Sequence, residues 1–335
     1  MVLELYFKVT AMRFILQTLM MPLYAGEIQH RGQWIIYPMT EQLIRLSGAG
    51  SGIIEKNLSM YNNRILAYID ILGFSDIIRK TVNNNEEVIP ETEKIYNFFT
   101  EAQAQLKKKY PDIDKNGCSL KTNQCSDSFI ISYEITEKSG VFHLLAAVLF
   151  LCVNALQNGF LLRGAITIGK LCHEEKIIFG PALVEAVKME EELAIYPRIV
   201  FDDRILDIAK KYPASYPGKS EQSRVIHKLV KKDFDSLNFV NYFSAINFVI
   251  GDSAGILVCF DYLKKIIVEL KKNASNNMNL KSKYLWLMEK YNKTLTQFKN
   301  KYCKNKNDNP DLYDYLNNAT FFQYPYHDNI ENNIE

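Results

Sequence analysis

The strongest hydrophobic pattern in the chain is a short apolar, β-branched run that ends on one carboxylate and a glycine turn. Residues 65–70 (ILAYID) predict a strand, and Gly73 ends it just before residues that are typical of a helix start. We therefore expect Asp70 where a strand meets the N-terminus of a helix. A carboxylate beside backbone amides suits a divalent metal that holds phosphates, and an Asp or Ser that only caps the helix is the alternative.

Downstream of this strand the pattern alternates between helical and strand periodicity. We predict helices over 75–81, 91–109, 140–158, 181–195, 261–272 and 281–299. We predict strands over 118–123, 128–135, 161–168 and 197–201, with an edge strand at 239–243; a loop at 173–176 leads to a short apolar run at 177–179. This order indicates an α+β fold with helices on one face of a mostly antiparallel sheet, followed by a C-terminal helical extension whose tail after Cys303 is loosely ordered.

The quality of the pattern divides the chain into three segments. Residues 1–59 have weak periodicity and contain a glycine- and serine-rich run at 47–52 that is typical of a flexible linker. We therefore expect an N-terminal appendage over 1–59, which the functional protein does not require, a central domain over 60–245 and a helical extension over 246–335. Tyr284, Trp286 and Tyr291 are expected to pack the extension onto the central domain.

Composition limits the class of protein. A chain of 335 residues with 47% hydrophobic residues, 23% charged residues and a net charge of +2 is typical of a globular protein that is not wholly a polyanion binder. The six cysteines form no C-x-x-C pair, so neither a zinc knuckle nor a disulfide scaffold is indicated, and we expect reduced thiols in the cytoplasm. The lysines of 264–283 lack interleaved aromatic residues, which favours a solvated helix face over a nucleic-acid partner.

Two apolar stretches are long enough to be checked as membrane segments. The stretch 7–24 is interrupted by Lys8 and Arg13, which suits neither a spanning helix nor a signal peptide. The stretch 141–162 carries His143 and Asn154 and leads directly into a strand, so we expect a buried core helix and no membrane partner.

A second acid, Asp127, lies in the turn Ser126-Asp127-Ser128 between two predicted strands. In a ferredoxin-like sheet this hairpin is a neighbour of the strand that carries Asp70, so the two carboxylates are expected to converge. Two carboxylates are what one or two Mg²⁺ ions need when water and the phosphates of a nucleoside triphosphate complete the coordination shell.

The segments that follow carry a resemblance to a known family. Residues 162–169 (LRGAITIG) and 179–190 (FGPALVEAVKME) follow the two acids in the order of the motifs of class III nucleotide cyclases. The resemblance covers about residues 64–205 and looks closest to the bacterial Pycsar branch, which makes cyclic pyrimidine mononucleotides in anti-phage defence. The matching segments are 68–74 (YIDILGF), 126–128 (SDS), 163–165 (RGA), 180–183 (GPAL), 196–199 (YPRI) and, in the tail, 283–286 (KYLW).

The resemblance implies a ferredoxin-like cyclase domain and a set of metal and phosphate contacts. Asp70 and Asp127 would bind Mg²⁺ or Mn²⁺, with the carbonyl of Ile71 as a further ligand. The turn formed by Leu72, Gly73 and Phe74 would hold the triphosphate through its amides.

Four positions depart from the motifs of purine cyclases. Asn123 stands where those enzymes select the base with Lys or Glu, and a neutral amide suits the mixed edge of uracil or cytosine. Pro181 stands at the second base-selecting position of those enzymes, and its side chain cannot form a hydrogen bond. Val184 and Lys188 replace the Asn and Arg that steady the ribose and the transition-state phosphate, so Lys188 keeps a positive charge without the bidentate fork.

The resemblance implies an enzyme that converts UTP or CTP to the 3′,5′-cyclic mononucleotide and pyrophosphate. It also implies a head-to-tail homodimer with each site across the interface, and a separate effector protein that senses the product. Two other functions stay open: a non-catalytic nucleotide-binding sensor, favoured by Val184 and Lys188, and a purine cyclase. Arg163 and Arg198 are each either a support of the site or a structural ion pair, and Lys231 and Lys232 are either triphosphate contacts or solvated lysines.

Overall fold

The computed structural model describes residues 25–30, 33–38, 60–82, 91–106, 118–213, 225–274 and 277–324. The chain divides into two compact units, Met1–Met60 and Tyr61–Glu335. In the first unit, strands β1 (Ala25–His30) and β2 (Gln33–Pro38) pair antiparallel, an element that the sequence pattern did not predict. The glycine- and serine-rich run at 47–52 lies outside the described residues.

The second unit contains the predicted alternation of strands and helices. Its strands are β3 (Asn62–Ile71), β4 (Lys121–Cys125), β5 (Ser128–Glu134), β6 (Leu162–His173), β7 (Ile178–Phe179), β8 (Ile199–Phe201), β9 (Val230–Lys232) and β10 (Asn238–Val240). Its helices are α1 (Phe74–Arg79), α2 (Glu91–Leu106), α3 (Gly140–Gln157), α4 (Pro181–Leu193), α5 (Arg204–Lys211), α6 (Tyr242–Val249), α7 (Ser253–Asn273), α8 (Met278–Tyr302) and α9 (Pro310–Asn318).

One sheet organises this unit, with strands in the order β4-β5-β3-β6-β8-β10-β9 and β7 paired to β6. All neighbours are antiparallel except β6 and β8. The part from β3 to β6 is a βαββαβ unit whose strands lie in the order β4-β5-β3-β6, which is the ferredoxin-like arrangement. The prediction of an α+β fold with a mostly antiparallel sheet is confirmed. The prediction of an edge strand at 239–243 is wrong, because β10 lies between β8 and β9 and the edge strand is β9.

The main core lies between one face of the sheet and the helix α3. Ile65, Ala67, Ile69 and Ile71 alternate along β3 and are at most 2% exposed on this face. Helix α3 is apolar on most sides because it contacts β5 and β3 on one side and α6 and α7 on the other. By length and composition α3 could cross a membrane, and 67% of it is buried within the protein, as expected for a core helix.

Helix α4 covers the opposite face of the sheet, so the prediction that all helices lie on one face is wrong. Ala182 and Ala186 of α4 pack on Leu66 and Leu171 in a separate small core. A Cβ atom at Gly169 would approach the Cβ of Ala182 to 3.3 Å, so glycine lets the helix lie close to β6. Gly169 directly follows the predicted strand 161–168, but in the structure it lies inside β6, which continues to His173.

Aromatic residues pack the C-terminal extension, but not all of the three that were predicted to contact the sheet domain do so. Trp286 stacks on Tyr196, with ring centroids 5.6 Å apart and planes 9° apart, and thereby joins α8 to the sheet domain. Tyr291 instead contacts Phe260 of α7, within the extension. The prediction of a loosely ordered tail is wrong for 304–324, since α9 buries Leu312 and Leu316.

Candidate active site

The sheet face under α4 carries the polar residues that the sequence singled out. Asp70 pairs with Arg163 in the register of β3 and β6. Asn123 of β4 pairs with Ile130 of β5, which pairs in turn with Tyr68 of β3. Because alternate residues of a strand share one face, Asp70, Arg163 and Asn123 lie on the same side of the sheet.

Asp70 and Asp127 converge where β3 ends beside the β4–β5 turn. The turn is tight, with Ser126 at a φ of 56°, and Ser128 Oγ donates a hydrogen bond to Asp70 Oδ1 at 3.2 Å. Burial raises the pKa of Asp70 to about 7, and Asp127 adds to this rise by its charge and by a hydrogen bond. Glu190 raises the pKa further and Arg163 opposes the rise. The carboxylates therefore carry more negative charge than their surroundings neutralise, a condition that a bound cation would relieve.

Arg163 lies between Asp70 and a buried glutamate that the sequence reasoning missed. Its Nη2 is 3.9 Å from Asp70 Oδ2, and its Nε is 2.6 Å from Glu190 Oε1. Neither the Nε nor the Oε1 atom has a well-directed hydrogen bond, so this contact is an ion pair without hydrogen-bond alignment. Burial raises the pKa of Glu190 while the charge of Arg163 lowers it.

The sequence held one signal for Glu190. It follows Ala182 and Ala186 at intervals of four residues and so continues the buried stripe of α4, but it stands in a run of three glutamates that is typical of a solvated face. Next to Arg163, a Cβ atom at Gly164 would lie 2.2 Å from the carbonyl oxygen of Tyr68. Glycine at this position therefore permits the close strand pairing that sets Arg163 beside Asp70.

The residues present fit a hard divalent cation. Carboxylate oxygens are the ligands that Mg²⁺ and Mn²⁺ prefer, and Asp70 and Asp127 supply them beside the hydroxyl of Ser128. Within the described residues, no group of three or more His, Cys, Asp or Glu side chains is arranged to hold a metal ion. The site therefore suits a cation that the protein holds through two carboxylates while a phosphorylated substrate completes the shell.

The predicted phosphate turn has the expected shape, but one of its amides is already used. Gly73 has a φ of +75°, and its carbonyl accepts hydrogen bonds from the first turn of α1, at 3.0 Å from Asp76 N. The amide of Leu72 donates to the carbonyl of Leu161 at 2.8 Å. Gly73 and Phe74 remain as candidates for amide contacts to phosphate. Ile71 ends β3 beside Asp70, with its side chain in the core.

Asn123 is held by two hydrogen bonds within the chain. Its Nδ2 donates to the carbonyl of Glu175 at 3.0 Å, and its Oδ1 lies 2.5 Å from Nε2 of His173. The sequence reasoning missed His173 because the predicted strand ended at residue 168, whereas β6 continues to His173. One N–H and one lone pair of the amide remain for a ligand.

The other predicted substrate residues lie on the outer face of α4 and are not brought to Asp70 within one chain. Pro181 occupies the first position of α4, where a missing N–H carries no cost. Val184 is 54% exposed, and Lys188 is exposed as well. This face of α4 points away from the sheet, whereas Ala186 and Glu190 point towards it.

Arg198 is a structural residue rather than part of the carboxylate site. It is fully buried, with Nη1 2.6 Å from Asp233 Oδ2, and it also pairs with Asp235. Lys231 and Lys232 line a separate cavity of about 360 Å³ between the β9–β10 hairpin and α8, together with Lys290 and Lys293. Within the described residues, neither Lys231 nor Lys232 reaches Asp70 or Asp127.

The comparisons with known proteins give distant structural similarity only. No protein-family model matches the sequence, and no curated protein does. A monomeric guanylyl cyclase domain of the RhoGC fusion protein from the fungus Blastocladiella emersonii is 11% identical, with 53% of this chain and 94% of that chain covered at a TM-score of 0.35. The catalytic core of a rhodopsin-guanylyl cyclase with converted specificity, in complex with ATPalphaS, is 13% identical, with coverages of 45% and 82% and a TM-score of 0.32. The adenylyl cyclase CyaB from P. aeruginosa is 12% identical, with coverages of 45% and 82% and a TM-score of 0.30. None of the three is a pyrimidine cyclase, and similarity at this distance assigns neither substrate nor activity.

Proposed function

We propose that this protein is a nucleotide cyclase that converts a pyrimidine nucleoside triphosphate, UTP or CTP, to the 3′,5′-cyclic mononucleotide and pyrophosphate. The observation that carries the proposal is the convergence of Asp70 and Asp127 at one end of a ferredoxin-like sheet, where burial and mutual repulsion raise the pKa of Asp70. The order of the motifs around these two acids, set out above, supports cyclase chemistry over other uses of a two-carboxylate site.

The reaction requires positioning and charge neutralisation more than covalent chemistry. The ribose 3′-hydroxyl attacks the α-phosphate in line and expels pyrophosphate. Asp70 and Asp127 would hold a cation, Mg²⁺ or Mn²⁺, whose charge would offset that of the phosphates and favour loss of the hydroxyl proton. The amides of Gly73 and Phe74 contact the triphosphate. Arg163 lies beside Asp70, so its guanidinium can donate to a phosphate oxygen in place of the Asp70 carboxylate when the substrate is bound.

Base recognition and the transition-state cation are proposed to come from a second copy of the chain. Asn123 reads the pyrimidine, Pro181 and Val184 shape the wall of the base and ribose site, and Lys188 faces the developing charge on the α-phosphate. The exposure of Val184 and Lys188 on the outer face of α4 agrees with a role across a homodimer interface. The product would act as a second messenger in anti-phage defence, sensed by a separate effector in the cytoplasm.

The test is incubation of the purified protein with each of the four NTPs and Mg²⁺ or Mn²⁺, with products identified by mass spectrometry. We expect cyclic UMP or cyclic CMP together with pyrophosphate. Absence of any cyclic product from protein that is dimeric in solution would contradict the proposal.

Replacing the two acids tests their assignment. Asp70→Ala and Asp127→Ala should each reduce turnover to background, because one carboxylate cannot hold the cation against the triphosphate. Asp76→Ala is the matched control, since Asp76 is an exposed carboxylate on α1 that pairs only with Arg79 among the described residues. Full activity of either acid variant, or equal loss in the control, would refute the metal role.

The same incubation distinguishes the two other functions. A non-catalytic sensor, which Val184 and Lys188 favour, would bind an NTP without releasing pyrophosphate. A purine cyclase would yield cyclic AMP or cyclic GMP from the same carboxylates.

A further inference from the structure

A chain of hydrogen bonds crosses the site face of the sheet and ends on Asn123. Arg64 Nε lies 2.7 Å from Ser132 Oγ, which lies 2.7 Å from Nδ1 of His173. Nε2 of His173 lies 2.5 Å from Asn123 Oδ1, and Asn123 Nδ2 lies 3.0 Å from the carbonyl oxygen of Glu175. Four strands supply these groups, and His173 is only 3% exposed.

The two ends of this series of hydrogen bonds fix which group donates and which accepts at every step. The carbonyl of Glu175 can only accept, so Asn123 presents its amide nitrogen there and its oxygen to His173. Nε2 of His173 must then carry the proton, and Nδ1 of a neutral ring must accept from the hydroxyl of Ser132. That hydroxyl in turn accepts from Arg64, which can only donate.

The surroundings keep the imidazole neutral, as this order requires. Burial lowers the pKa of His173 to about 4, and the positive charges of Arg64 and Lys121 lower it in the same direction. Rotation of the Asn123 amide by half a turn would oppose its N–H₂ to the N–H of His173 and its oxygen to the carbonyl of Glu175. Two hydrogen bonds would be lost, so the amide keeps one orientation.

A locked amide can distinguish the two pyrimidines. Uracil presents an N–H donor at N3 beside an acceptor at O4, whereas cytosine presents an acceptor at N3 beside an N–H donor at N4. These orders are opposite, so an amide that is free to rotate fits both bases and a fixed amide fits only one. Resting on the function proposed above, we propose that His173 is a positioning residue that fixes the Asn123 amide and thereby makes the site choose between UTP and CTP.

The test compares His173→Phe, which removes the donor to Asn123, with His173→Gln, whose amide N–H₂ can replace Nε2–H. For wild type and each variant, kcat/KM and competitive binding are measured for UTP and CTP. We expect the preference for the favoured base over the other, taken as the ratio of their kcat/KM values, to fall about tenfold in His173→Phe through a gain on the disfavoured base, and to be largely restored in His173→Gln. His227→Phe, at an exposed histidine away from this chain of bonds, is the matched control and should keep the wild-type ratio.

Three results would overturn the proposal. A proportional change for both nucleotides in His173→Phe would show a structural role only. Nitrogen NMR of the wild-type imidazole provides a readout that does not depend on activity: we expect Nε2 protonated and Nδ1 bare, and the reverse tautomer would refute the bond order. If the protein binds nucleotides without turnover, cyclase activity fails while the binding ratio still tests His173. If it binds neither pyrimidine nucleotide, both proposals fail.

Discussion

At the scale of single residues, Asp70 couples the site to pH. Its pKa in the folded protein is about 7, against an ordinary value of 3.8. Between pH 3.8 and pH 7, Asp70 is therefore protonated in the folded state and ionised in the unfolded state. The contribution of Asp70 to the stability of the metal-free protein should therefore be fully present below about pH 4 and should be lost as pH rises through 7.

Asp70→Asn should remove this dependence, because an amide carries no charge to bury. Chemical denaturation of metal-free protein at pH 8 should show the variant to be more stable by on the order of 2 kcal/mol, while the two proteins differ little at pH 4. Saturating Mg²⁺ or Mn²⁺ should stabilise wild type at pH 8 and leave the variant nearly unchanged. An Asp70→Asn variant that is less stable than wild type at pH 8 would contradict the raised pKa.

At the scale of secondary-structure elements, one buried ion cluster joins the sheet to the C-terminal extension. Asp233, in the β9–β10 hairpin, lies 2.6 Å from Arg198, 2.8 Å from Lys290 Nζ and 2.7 Å from the indole nitrogen of Trp286. Burial alone would raise the pKa of Asp233, but the bonds from Lys290 and Trp286 and the charge of Arg198 outweigh it and lower that pKa.

Asp233→Ala should therefore destabilise the protein by about 3 kcal/mol, because it removes the buried carboxylate that Arg198 and Lys290 share and leaves them, within the described residues, only Asp235 and, at 3.6 Å, Glu289 as acidic partners. Urea denaturation measures the loss. Asp235→Ala is the control. Asp235 is 29% exposed and pairs with Arg198 but not with Lys290, whereas Asp233 pairs with both cations. Equal losses in the two variants would show that Asp233 has no special role.

The helices and strands that the sequence predicted well are those whose pattern is set by local burial. Helix α3 was predicted to within one residue because its apolar run is long. The apolar part of β3 was also predicted, at 65–70, but its polar start at residues 62–64 was not. The placement of α4 on the opposite face was not predictable, since small residues such as Ala182 and Ala186 give a weak pattern that only the close approach at Gly169 explains. The pairing of Asp70 with Asp127 followed from strand order, whereas Glu190 and His173 depend on tertiary contacts that the pattern does not contain.

At the scale of the whole molecule, the candidate residues fall into two groups that one chain keeps apart. Asp70 and Asp127 lie at the end of the sheet, while Val184 and Lys188 lie on the outer face of α4. A head-to-tail homodimer would place the first group of one protomer beside the second group of its partner, so that each of two equivalent sites needs both chains.

Mixing two inactive variants tests this arrangement. Asp70→Ala and Lys188→Ala should each be inactive alone, because every site then lacks one component. In an equal mixture that has exchanged subunits, half of the dimers carry both variants and one of the two sites in each is intact. Activity should therefore return to about a quarter of the wild-type value. The mixture of Asp70→Ala with Asp127→Ala is the control and should stay inactive, since both changes fall in the same half of the site. Activity that does not return in the first mixture, although exchange has occurred, would place Asp70 and Lys188 in sites of a single chain.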